Sequence, residues 1–205
     1  MRRVSWQPVR LSLLLLFCLL ALPATAHAHS PVKGMGDFIS GVIHPLTTPS
    51  HILVIVGLGL LAGRRRPFSL KAPMIVFIAL SATALVLATA GGIKSIQPAV
   101  LLAIALCAGS LLALDKNPPT LPLAALFAAA ALAMGLDSAA EAGSRASIAK
   151  TLLGNWISLV VLTYDIALYV SLGGEKKWLK VALRIAGSWI IAISLLVLAF
   201  SLRPV

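Results

Sequence analysis

Gly41-Val42-Ile43-His44-Pro45-Leu46-Thr47-Thr48-Pro49-Ser50-His51 stands at the front of a long apolar run, Phe38 to Ala62. Two imidazoles and two prolines inside a membrane-length segment do not fit a lipid-facing surface. Polar side chains in hydrocarbon are costly, so they turn to the bundle interior and mark a path for a substrate or ion. Histidine is also the commonest ligand of transition metals. His44 and His51 lie seven positions apart, on one face of a helix but about 10 Å apart along its axis, too far to share an ion. Proline removes a backbone donor and crowds the preceding turn, and the residue before it prefers extended geometry. A break near Pro45–Pro49 is therefore expected to bring the imidazoles together and free carbonyls beside them, as in the broken helices of transporter ion sites. The same residues also suit a purely structural role, as caps of a kinked helix.

The rest of the chain sets the class. It has 205 residues, 60% hydrophobic and 11% charged, with mean hydropathy +1.00. Soluble domains carry about a quarter charged residues, so this composition is that of an integral membrane protein. The net charge of +11 does not signal nucleic acid, because the basic residues lie in the amino-terminal leader and in short loops between apolar runs.

Residues 1–28 have the form of a secretory signal peptide, with Arg2, Arg3 and Arg10 before the apolar core Leu11 to Leu22. Ala24-Thr25-Ala26 and Ala26-His27-Ala28 both fit small-x-small cleavage. Six further runs predict helices at Phe38–Ala62, Ala72–Ala90, Ile96–Leu114, Leu121–Leu136, Ile148–Leu172 and Trp178–Leu202. Most approach the ~20 residues needed to span a bilayer. No period-two alternation is present, so the expected fold is all-α, a polytopic transmembrane bundle of six helices over residues 29–205. Nine basic residues follow the odd-numbered runs (Arg64, Arg65, Arg66, Lys71, Lys116, Lys176, Lys177, Lys180 and Arg184). Five stand on the other side (Lys33, Lys94, Arg145, Lys150 and Arg203). The positive-inside rule then puts both mature termini outside the cytoplasm of a bacterial inner membrane.

The remaining polar residues in apolar context are few. Asp165 lies mid-run and is expected as a metal ligand, a proton carrier or a structural partner of His44, His51 or Tyr164. Asp137 and Glu141 share a helix face at the end of the fourth run. They suit attraction of a cation from outside, or an ordinary polar terminus near Arg145 and Lys150. Asn155 and Trp156 are expected as interfacial anchors, with orientation of a ligand as the alternative, and Cys107 as a small buried hydrophobe. If cleavage follows Ala26, the amine of His27 and the imidazole of His29 would suit tetragonal Cu(II) or Ni(II). If it follows Ala28, His29 becomes the first residue. The metal candidates are thus His44, His51, Asp165, Asp137, Glu141 and His29, with no catalytic residue and no permanently bound cofactor expected. A glycine-rich phosphate loop and the His-Glu-x-x-His spacing of a metalloprotease are both missing from the sequence.

The stretch Ser40-Gly41-Val42-Ile43-His44-Pro45-Leu46-Thr47 with His51-Ile52-Leu53 resembles the HupE/UreJ family. His44, Pro45 and His51 match that family's His-Pro and Asp-His elements. Ser50 stands at the aspartate position and Thr48 at the usual glycine. Met134-Gly135-Leu136-Asp137-Ser138-Ala139-Ala140-Glu141 resembles its second motif through Gly135 and Glu141, with Met134 and Ser138 at the two histidine positions. The resemblance implies a small membrane protein with a signal peptide and about six helices, associated with nickel or cobalt uptake for hydrogenase or urease. It implies a non-enzyme: a secondary-type permease for Ni²⁺ or Co²⁺, with copper and zinc ranked behind them. A membrane-bound metal-binding assembly factor without transport is the alternative. The implied partners are the lipid bilayer, the metal ion and a metalloenzyme maturation system, with no nucleic acid.

Overall fold

The computed structural model describes residues 36–65, 71–91, 96–140 and 143–201, all within a unit spanning Pro31–Val205. The expected leader, His29 and Glu141 lie outside the described residues. Seven helices and no strand occur among those described: α1 Asp37–Thr47, α2 Pro49–Gly63, α3 Lys71–Gly91, α4 Pro98–Ala113, α5 Thr120–Asp137, α6 Arg145–Leu172 and α7 Lys177–Ser201. Four of them, α3, α5, α6 and α7, are long and apolar enough to cross a membrane. The first run is broken where its prolines predict, into α1 and α2, bent by 75° at Thr48, and the two pass the same test as one broken span. α4 is apolar but only 16 residues long.

The break follows from local chemistry. Thr48 is extended, at φ −101° and ψ 106°, because it precedes proline. Pro49 then opens α2 at a position where its missing N–H is no loss. The hydroxyls of Thr47 and Thr48 each donate to the His44 carbonyl at 3.0 Å, so the backbone oxygen beside the bend is satisfied by side chains.

α2 is the central helix, packed on α4 and α6, with α1 and α7 also against it. Eleven of its 15 residues are buried, which accounts for a sequence apolar all round its circumference. α1 lies on α6 at backbone contact. A Cβ on Gly41 would collide with the Thr151 carbonyl, and one on Gly154 with the Phe38 carbonyl. The Thr151 hydroxyl donates across this seam to the Asp37 carbonyl at 3.2 Å. α3 and α5 pair in parallel, with Phe77 and Phe127 edge to face at 5.9 Å and Gly135 lying close against Ala84 and the Ser81 carbonyl, where a small residue permits close approach. Cys107, expected inside, faces outward on α4. A thiol resembles a small aliphatic group closely enough to sit on an apolar exterior.

One end of the bundle is tied by charge. Asp115 sits in the left-handed region at φ 56°, where glycine is usual, closing α4 with hydrogen bonds from Lys116 N to Leu111 O (2.8 Å) and from its own N to Leu112 O (3.0 Å). Aspartate is among the few residues that tolerate this geometry. Its carboxylate takes Arg64 at 2.9 Å and Lys180 at 2.6 Å, linking the ends of α2, α4 and α7. Beside it Arg65 donates to the Pro118 carbonyl at 2.7 Å and Arg184 to that of Ala113 at 3.1 Å. Arg64, Arg65, Lys180 and Arg184 thus gather at one end.

Candidate metal site

The other conspicuous polar group gathers at the bend. With the chain broken at Thr48, the His44 and His51 rings meet edge to face with centroids 5.5 Å apart. Asp137, the last residue of α5, reaches the same place. Its Oδ2 lies 3.1 Å from Nε2 of His51, with the side chains 0% (His51) and 9% (Asp137) exposed. Three helices thus converge: α1 brings His44, α2 brings His51 and α5 brings Asp137.

Several buried polar atoms at this level lack partners among the described residues. Nδ1 of His51, Oγ of Ser138 and Oδ1 of Asn155 are all buried without a hydrogen bond. Ser138 follows Asp137. Asn155 packs its backbone against α1 beside Gly41, one turn before His44. A buried polar atom without a partner is uncommon and asks for water, an ion or a function. Asn155, expected at an interface, is only 2% exposed. Trp156 is half-buried, its indole N–H donating to the Ile78 carbonyl at 3.1 Å. No sequence signal separated Asn155 from its neighbour, because its inward direction is set by the α1–α6 seam.

Asp165 stands apart. On α6, Thr163 and Ile166 pack against Gly59, which is eight residues beyond His51 and so about 12 Å further along α2. Asp165 is half-buried there and makes no hydrogen bond or ion pair with the described residues. No three His, Cys, Asp or Glu side chains among the described residues form a group ready to hold an ion. The arrangement at the bend offers imidazole nitrogen, one carboxylate and neutral oxygens around a hydrogen-bonded pair, a set open to completion by water rather than a closed cage.

No curated protein and no solved structure matches the chain. The family model described as HupE / UreJ protein matches residues 15–197, which take in the bend, both its histidines and the Asp137 that meets them, and the chain belongs to the HupE/UreJ family.

Proposed function

We propose that this protein is a secondary-type permease for a divalent transition-metal ion, Ni²⁺ or Co²⁺ foremost, supplying a metalloenzyme. The observation that carries the reading is the convergence of His44, His51 and Asp137 at a broken helix, with the imidazoles 5.5 Å apart and His51 fully buried. Neutral imidazole and neutral oxygen, with a carboxylate beside them, suit nickel, cobalt and zinc. Membership of a family associated with nickel and cobalt adds to it. A carrier site must release its ion as well as hold it, and an incomplete donor set finished by water serves that need better than a four-ligand cage.

In this reading α1 with α2 and the five other helices make six passes through a bacterial inner membrane, with both ends of the mature chain outside. The His51–Asp137 end then opens outward and the end tied by Asp115 faces the cytoplasm. Glu141, four residues past Asp137, guides ions from outside, and His29 offers a further imidazole at the mature amino terminus. Asp165, about 12 Å deeper, is the next carboxylate on the route inward. Calorimetry with Ni²⁺ and with Co²⁺ on the purified full chain tests the site. His44→Ala and His51→Ala should each abolish tight binding while leaving the protein inserted and folded. Equal binding by the double variant would move the site elsewhere, to His27 and His29 first.

A further inference from the structure

The contact between His51 and Asp137 fixes more than proximity. An ionised carboxylate only accepts hydrogen bonds, so an Asp137 Oδ2 at 3.1 Å from Nε2 requires the imidazole proton on that nitrogen. A neutral ring with its proton on Nε2 carries its lone pair on Nδ1. Nδ1 of His51 is the ring atom that is buried without a hydrogen-bond partner among the described residues. The reverse assignment, with the proton on Asp137 and on Nδ1, would leave a buried N–H with no hydrogen-bond acceptor among the described residues.

We propose that Asp137 is a positioning residue: its carboxylate accepts the Nε2–H of His51, locks that tautomer, and leaves Nδ1 as the nitrogen that His51 offers to the cation. The nature of the incoming group rests on the permease reading; the tautomer does not. Metal-binding histidines commonly donate their second ring N–H to a carboxylate, which orients the ring and raises its basicity. Here that carboxylate comes from a different helix, so α5 sets the aim of a donor carried by α2. The ion therefore meets His51 through Nδ1, and Asp137 acts on it through His51.

Nitrogen NMR on histidine-labelled full chain in lipid bilayers tests this at about pH 8, above the ordinary histidine range. Comparison with His51→Gln identifies the His51 signals. The expected result is a proton on Nε2 and none on Nδ1 in the parent, with redistribution between the nitrogens in Asp137→Ala. Asp137→Asn keeps an acceptor oxygen in place and should retain the parent tautomer. Ni²⁺ affinity, measured by calorimetry on the same samples, should fall roughly 10–100-fold in Asp137→Ala and recover in part in Asp137→Asn. A proton on Nδ1 in the parent, or an Asp137→Ala variant with the parent's tautomer and affinity, overturns the proposal. A parent with the expected tautomer that binds neither Ni²⁺ nor Co²⁺ supports the Asp137 pairing and overturns the metal reading instead.

Discussion

Gly41→Ala adds one methyl group where the structure has no room for it. The new Cβ would collide with the Thr151 carbonyl oxygen and stand 2.9 Å from that carbonyl carbon and 3.0 Å from the Asn155 nitrogen, where ordinary contact begins at 3.4 Å. All three obstacles are backbone, so no side chain can swing aside. α6 is a 28-residue helix packed against α2 and α3 as well, whereas α1 has 11 residues and a hinge at Thr48. α1 must therefore yield. Overpacking of this kind costs about 1–3 kcal/mol, and losing the bond from the Thr151 hydroxyl to Asp37 adds about 0.5–1.5 kcal/mol. For a protein of this size the sum lowers the melting temperature by roughly 5–15 °C. His44 lies one turn beyond Gly41, so Ni²⁺ affinity should fall with it. Thermal unfolding in detergent, followed by near-ultraviolet circular dichroism, measures the first effect, and calorimetry measures the second. Gly36→Ala is the control, since nothing lies within 4 Å of a Cβ at that position. A Gly41→Ala protein that melts with the parent and the control would refute the close α1–α6 seam.

Two further outcomes follow from single contacts. The hydrogen bond from Lys180, with the charge of Arg64 and against the opposing effect of burial, holds the Asp115 carboxyl below its ordinary value. A depressed carboxyl stabilises the fold at neutral pH and loses that contribution as pH falls through the depressed value. The parent's melting temperature should therefore drop more steeply than that of Asp115→Asn below about pH 4, and parallel curves would exclude the effect. Asn155→Leu removes a buried oxygen that lacks a partner, so it should leave the melting temperature near the parent's while weakening Ni²⁺ binding by calorimetry; undiminished binding would free Asn155 of any part in the site.

Much of this architecture is legible in the sequence because it rests on local rules. Apolar run length locates the helices: the runs expected at 121–136 and 148–172 are α5 at Thr120–Asp137 and α6 at Arg145–Leu172. The pre-proline rule at Thr48 locates the break. What local rules do not carry is which side chain meets which across the bundle. Asp137 reads as an acidic helix end and lies instead against His51, because the parallel pairing of α3 with α5 and the central place of α2 bring those ends together. Asp165 reads as the natural partner of the histidines, being mid-run and costly, yet the register of α6 on Gly59 sets it well beyond them. Asn155 and Trp156 are alike to any interfacial rule. The glycine seam at Gly41 and Gly154 turns the first inward, and packing on α3 gives the second a carbonyl. Hydropathy places Cys107 inside, but outward apolar positions in a bilayer protein are no less apolar than inward ones.

Transport itself is measured by uptake of radioactive Ni²⁺ into sealed vesicles reconstituted with the purified protein, beside empty vesicles and vesicles carrying His51→Ala. The parent should accumulate the ion inside, and His51→Ala should accumulate no more than empty vesicles. Ni²⁺ that binds the parent without entering the vesicles, with the same result for Co²⁺, would contradict a permease and make the protein a metal-binding assembly factor.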